Sequence, residues 1–155
     1  INKFHHVIVG LPIEAYDKMN DGAYLLQIDG KVSGPTDSTD RKTIPFYVDN
    51  TAPEIESVEY NPNNKTISVT AKDEKALSAI YVTYTDKNQN KISELKTVLP
   101  QDSVNGFATK TFDISKAGGL DKLGVGCVDY AINESNGYYR YCPGRVVHIQ
   151  GLRVG

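Results

Sequence analysis

Apolar and polar residues alternate along short stretches of this chain, and a period of two predicts β-strands. The stretches, in chain order, are 65–72, 78–85, 91–98, 107–114, 123–129 and 138–150. Turn residues such as Asn105-Gly106 and Gly118-Gly119 separate some of them. One face of the clearest strands should point inward, and its residues are Ile67, Val69, Ala71, Ile80, Val82, Tyr84, Ala108, Phe112, Ile114, Leu123, Val125, Cys127 and Asp129.

From residue 53 onward the pattern amounts to about seven short strands, which is typical of an immunoglobulin-like β-sandwich. Before residue 49 the pattern predicts only three strands. The strands predicted there are 4–11, 23–28 and 43–48, with a turn at Asp29-Gly30. A three-stranded sheet buries little by itself. We therefore expect residues 1–48 to be the C-terminal part of a β domain that is completed by a missing half or by another chain.

The segment 49–53 separates the two patterns. Asp49, Asn50 and Thr51 have short polar side chains that bond nearby backbone groups and end a strand. Pro53 keeps the preceding residue out of the helical region, so the chain stays extended until the next strand begins. The sequence thus predicts a partial β-module at 1–48, a junction at 49–53 and a β-sandwich domain at 54–155.

Composition narrows the class of protein further. Hydrophobic residues make up 39% of the chain and charged residues 23%, which is a globular composition. The formal charge of −2 argues against a nucleic-acid partner, because such proteins concentrate Lys and Arg on one surface. No apolar run is long enough to predict a membrane span. The first residue, Ile1, gives the expectation of a processed or excised fragment.

Three sequence motifs carry a resemblance to a known family. VDNTAP at 48–53 resembles the junction between tandem immunoglobulin-like or fibronectin-III-like modules of bacterial surface proteins. LGVGCVDYAIN at 123–133 is similar to a late strand and loop of such modules, although Ile132 stands where the family commonly has Gly. LP at 11–12 followed by NDGAY at 20–24 resembles the fibronectin-like domain of cell-envelope subtilisin-like serine proteases, of the lactocepin and C5a peptidase type.

The resemblance implies a non-catalytic segment that acts as a spacer or positions substrates in a surface-anchored subtilisin-like endopeptidase. Its partners would then be the upstream domains of the same protein and a host or substrate protein. Its location would be extracellular, either secreted or on the bacterial cell surface, and residues 1–48 would be fibronectin-like. The alternative from another class is an adhesin or ligand-binding immunoglobulin-like module.

An autonomous enzyme is the third class, and the sequence offers no catalytic residues for it. A subtilisin-like site needs Asp, His and Ser brought together, and neither the nucleophile segment of that family nor a Gly-x-Ser-x-Gly elbow is present. His5 and His6 are adjacent and therefore point to opposite faces of a strand. His148 lies in an alternating terminal strand, where a structural or solvated side chain is expected.

Three aspartates form the candidate metal site, and calcium is the candidate cofactor. Asp49, Asp73 and Asp129 follow or end predicted strands that would meet at one end of the sandwich, where oxygen atoms can bind Ca²⁺. The alternative is that each aspartate caps its own turn, because no contiguous calcium-binding loop is present.

The two cysteines permit one disulfide bond. If residues 133–136 form the loop of a hairpin, Cys127 and Cys142 lie opposite each other, and a bond between them is expected. The alternative is a buried free thiol at Cys127.

Three tyrosines near the end of the chain give a candidate contact surface. Tyr138, Tyr139 and Tyr141 follow a turn expected near Gly137, and exposed aromatic rings there can bind a sugar or a protein. Because side chains alternate between faces along a strand, the alternative is that part of this set belongs to the core.

Overall fold

The structure is a computed structural model, and it describes residues 13–32 and 38–150. The all-β prediction is confirmed: within these described ranges, ten strands form three antiparallel sheets, and two short helices accompany them. The chain divides into two compact units, residues 1–50 and 51–155. The division between them falls inside the 49–53 segment.

In the first unit, helix α1 (Ile13–Asp17) precedes a long two-stranded antiparallel sheet. Its strands are β1 (Gly22–Val32) and β2 (Ser38–Val48), paired from Gly22 opposite Val48 to Val32 opposite Ser38. The predicted turn at Asp29-Gly30 is wrong, because β1 continues through both residues. The predicted strand at 4–11 lies outside the described residues. The fibronectin-like identity of this unit stays a prediction.

In the described part of the second unit, the other eight strands form two antiparallel sheets, an arrangement consistent with a β-sandwich. One sheet has three strands in the order β3-β4-β7, and the other has five in the order β10-β9-β8-β5-β6. The bounds are β3 (Glu54–Asn61), β4 (Thr66–Lys72), β5 (Leu77–Thr85), β6 (Lys91–Thr97), β7 (Phe107–Asp113), β8 (Leu123–Asp129), β9 (Glu134–Cys142) and β10 (Arg145–Gln150). A short 3₁₀ helix, η1 (Pro100–Asp102), lies between β6 and β7.

The core of this unit forms between the two sheets, as the alternating pattern predicts. All thirteen residues predicted to point inward are buried. Strand β8 is buried along nearly its whole length, which agrees with its central place in the five-stranded sheet. Removing this apolar surface from water is the main favourable term in folding of the unit.

The β8–β9 hairpin differs from the one predicted. Its strands pair Leu123 with Tyr139 and Cys127 with Ser135, so the loop is 130–133 and not 133–136. Asp129 closes this loop because its Oδ1 accepts a 2.8 Å bond from the Asn133 backbone N–H. Ile132 takes the left-handed conformation, with φ of 68°, which is the geometry that glycine normally supplies at such a turn.

Candidate functional site

A groove of about 1270 Å³ runs along one side of the sandwich in the second unit. Strand β3 forms one wall, and strands β9 and β10 form the other. Both β3 and β10 lie at the edges of their sheets, so the groove marks the side on which the two sheets are not joined by backbone pairing. The residues that line it are Glu54, Ile55, Glu56, Ser57, Val58, Glu59, Tyr60, Pro62, Ser135, Asn136, Tyr139, Tyr141, Gly144, Arg145, Val146 and His148.

Aromatic rings lie on both walls of the groove. Tyr60 of β3 meets Tyr141 of β9 edge to face, with ring centroids 4.7 Å apart. Tyr139 packs beside His148 of β10, with centroids 5.0 Å apart. Tyr139 and Tyr141 share a face of β9, whereas Tyr138 lies on the opposite face, with Lys122 Nζ 4.3 Å from its ring centroid. The predicted surface of three tyrosines is therefore wrong as a single patch, because the strand alternates.

The β3 wall carries negative charge and an unpaired strand edge. Glu54, Glu56 and Glu59 are exposed, while Val58 between them is buried. Among the described strands β3 pairs with β4 alone, so the backbone groups on its other edge are available to a further extended chain. Sequence reasoning missed this wall because alternation is weak in 54–61. The three glutamates within six residues are the sequence signal from which a negatively charged strand could have been predicted.

The structure brings Asp73 and Asp129 together at one end of the second unit. Asp73 follows β4 and Asp129 is the last residue of β8, so the pair brings together one residue from each sheet. The two side chains approach within 4.8 Å, measured between carboxylate oxygens. Asp73 is 7% exposed and Asp129 is 1% exposed. Asp49 follows β2 in the first unit, and its part in the site stays a prediction.

Each aspartate of the pair also caps a turn, which was the alternative interpretation. Asp73 Oδ1 accepts a 2.7 Å bond from the Lys75 N–H, and Asp129 accepts bonds from the backbone and side-chain N–H groups of Asn133. Burial is the largest cause and raises the pKa of Asp73; the bond from the Lys75 N–H opposes this shift, and the charge of Asp129 adds to it. Ionising both carboxyl groups of this buried pair is therefore energetically unfavourable.

The two cysteines are free thiols, and the predicted pairing between them is wrong. Cys127 lies opposite Ser135, whereas Cys142 lies opposite Arg145 in the next hairpin, because the β8–β9 loop closes earlier than predicted. Cys127 is fully buried in the core, and burial raises its pKa to about 12. A thiol with that pKa is neutral at physiological pH and is a poor nucleophile.

Of the three histidines, His5 and His6 lie outside the described residues. His148 is exposed in β10 and packs against Tyr139.

Within the described ranges, no helix has the length and apolar character needed to cross a membrane. No protein-family model, curated protein or solved structure matches this chain.

Proposed function

We propose that this chain is a non-catalytic accessory segment of a surface-anchored subtilisin-like serine endopeptidase, in which it positions extended protein substrates. The three motifs at 11–24, 48–53 and 123–133 support the protease family. The division into two β units at residue 50 supports a chain built from consecutive modules. This proposal places the chain outside the bacterial cell, either secreted or attached to the surface.

The strand order supports an immunoglobulin- or fibronectin-III-like identity for the second unit. Three strands (β3, β4 and β7) face a sheet in which β9, β8, β5 and β6 are adjacent, and the chain crosses between the sheets after β4, β6 and β7. Sandwiches of the immunoglobulin class distribute about seven strands over two sheets with such crossings. Strand β10 is an addition at the edge of the larger sheet.

The open edge of β3 in the groove is the observation that carries the substrate-positioning role. A substrate in extended form can add as a further strand to such an edge, where backbone hydrogen bonds provide affinity and side-chain pockets provide selectivity. The exposed glutamates of β3 favour a chain with positive side chains. Tyr60 and Tyr141 offer apolar ring surface beside it.

Two fluorescent peptides of about 10 residues, with alternate lysines or alternate glutamates, test this role by anisotropy with the full chain. We expect the lysine peptide to bind at least about tenfold more tightly than the glutamate peptide. Changing Glu54, Glu56 and Glu59 together to Gln should remove most of that difference. Tyr141→Ala should weaken both peptides.

Tyr138→Ala is the matched control, because it removes a tyrosine from the same strand on the face away from the groove. It should leave both affinities unchanged. Absence of binding by either peptide, or equal losses in Tyr138→Ala and Tyr141→Ala, would contradict substrate positioning by the groove.

A second candidate function is a carbohydrate-binding adhesin module, and the aromatic pairs of the groove favour it. Sugars stack on aromatic rings, and carboxylate and amide side chains such as Glu56 and Asn136 can bond their hydroxyl groups. A glycan array probed with the full chain separates the two functions. Glycan binding that Tyr141→Ala abolishes, together with no peptide binding, would establish the adhesin function and exclude the first.

A further inference from the structure

The buried carboxylates of Asp73 and Asp129 need a positive partner or a proton. Two negative charges this close repel strongly where water is excluded. Backbone and amide N–H groups of Lys75 and Asn133 satisfy part of their hydrogen-bonding capacity. Such neutral donors orient the carboxylates but do not cancel their charge.

One oxygen atom of the pair points to a ligand. Asp73 Oδ2 is fully buried and has no hydrogen-bond partner among the described residues, although Oδ1 of the same carboxylate is bonded. A buried acceptor without a partner is costly, and more so when it is charged, so native structures rarely keep one unless something binds it.

We propose that Asp73 and Asp129 bind a calcium ion at this end of the second unit. Carboxylate oxygens are the ligands that Ca²⁺ prefers, and water and backbone carbonyl groups complete its shell of six to eight oxygens. The ion occupies the free position of Asp73 Oδ2 and neutralises the repulsion within the pair. This proposal is independent of the substrate-positioning role.

The positions of Asp73 and Asp129 in the fold indicate a structural role for the ion. Asp73 begins the segment that connects β4 to β5, and Asp129 is the last residue of β8, directly before the loop to β9. These strands belong to different sheets, so one ion ties together the two sheets of the sandwich at that end. Calcium therefore acts as a structural clamp, and its removal loosens the end of the sandwich before the core.

Thermal unfolding of the full chain, in CaCl₂ and in chelator, tests the site with the metal alone as the probe. At a calcium concentration of about 100 times Kd, the Tm should rise by on the order of 10 °C. Isothermal titration of the chelated chain with CaCl₂ should give one site. An unchanged Tm together with no heat of binding would overturn the proposal.

The Tm of Asp73→Asn relative to the natural chain should change sign between the two buffers, and only a cation site explains such a change. In chelator this variant should have a higher Tm than the natural chain, because it removes one of two repelling buried charges. In CaCl₂ it should have a lower Tm, because a ligand of the ion is lost. A Tm that stays above that of the natural chain in both buffers would show that the pair shares a proton and would exclude the ion.

Asp113→Asn is the matched control for that experiment. Asp113 is exposed and caps its turn with a 2.9 Å bond from the Ser115 N–H, in the same way that Asp73 bonds Lys75, but it lacks the buried second carboxylate. Its Tm relative to the natural chain should be the same in both buffers. A calcium-dependent loss in this control equal to that of Asp73→Asn would assign the effect to general surface charge and overturn the site.

Discussion

The ring of Tyr81 lies directly over Gly126, its partner on the neighbouring strand. A Cβ atom added at Gly126 would lie 2.1 Å from Tyr81 Cζ, so only glycine leaves room for the ring. The Tyr81 hydroxyl donates to Glu134 and accepts a 3.3 Å bond from Asn136 Nδ2. Burial and the bond to Glu134 raise the pKa of Tyr81 to about 12. The glycine in the middle of β8 therefore serves packing, because an aromatic ring covers the backbone that glycine leaves bare.

Gly126→Ala should destabilise the second unit by about 1–3 kcal/mol, because the added methyl group must displace the Tyr81 ring from its bonds. Chemical denaturation of the full chain measures this loss. Gly119→Ala is the control: no atom lies within 4 Å of a Cβ built there, and its change should stay within about 0.5 kcal/mol. Equal stability of the two variants would contradict the packing role.

Ile132→Gly should stabilise the chain by about 0.5–1 kcal/mol. Ile132 is 84% exposed and has φ of 68°. Truncation to glycine therefore removes little contact and relieves the steric strain of the left-handed backbone conformation. Denaturant midpoints measure the gain. Leu95→Gly, at an exposed position within β6, is the control and should lose about 1 kcal/mol. A loss at Ile132 as large as that at Leu95 would show that the loop is not strained.

The two thiols should differ in reactivity with a disulfide reagent at pH 8. Cys127 should react at least about a hundredfold more slowly than Cys142 in the folded chain, because it is buried and its pKa of about 12 leaves almost no thiolate. Raising the pH towards that pKa should increase the thiolate of Cys127. Cys142→Ser should remove the fast phase alone. Fewer than two thiols in the denatured, unreduced chain would show that a disulfide exists.

A shortened chain that begins at Asn50 should fold cooperatively, because the second unit has its own core between two sheets. Circular dichroism during thermal unfolding measures this, with the full chain as the reference. An unfolded fragment beside a folded full chain would mean that both units form one cooperative domain.

The chain alone should not hydrolyse casein or peptide esters, because its sequence contains neither a subtilisin-type nucleophile segment nor a nucleophile elbow. Release of a chromogenic leaving group measures turnover. A rate above background that a serine-directed inhibitor abolishes would contradict the accessory function.

The all-β class, most strand positions and the inward faces of the second unit were predictable from the amino-acid sequence. Those properties depend on local patterns, since a period of two marks the buried face of a strand wherever that strand later pairs. Ile67, Phe112 and Val125 are buried for this reason. The helix at Ile13–Asp17 escaped prediction because a single turn carries a weak local signal. The continuation of β1 was missed because Asp29-Gly30 is a local turn signal, which pairing with β2 overrides.

The hairpin register, the groove and the acidic pair depend on how distant strands pack together, and local patterns do not predict them. The β8–β9 register depends on Ile132 adopting a conformation that its branched side chain disfavours, so local preference indicated the wrong loop. The groove exists because β3 and β10 are the edges of two sheets that face each other, and strand order is not encoded in any one stretch. Asp73 and Asp129 are likewise distant in sequence. The strands that carry them meet because their apolar faces share one core, and that burial holds the two carboxylates together.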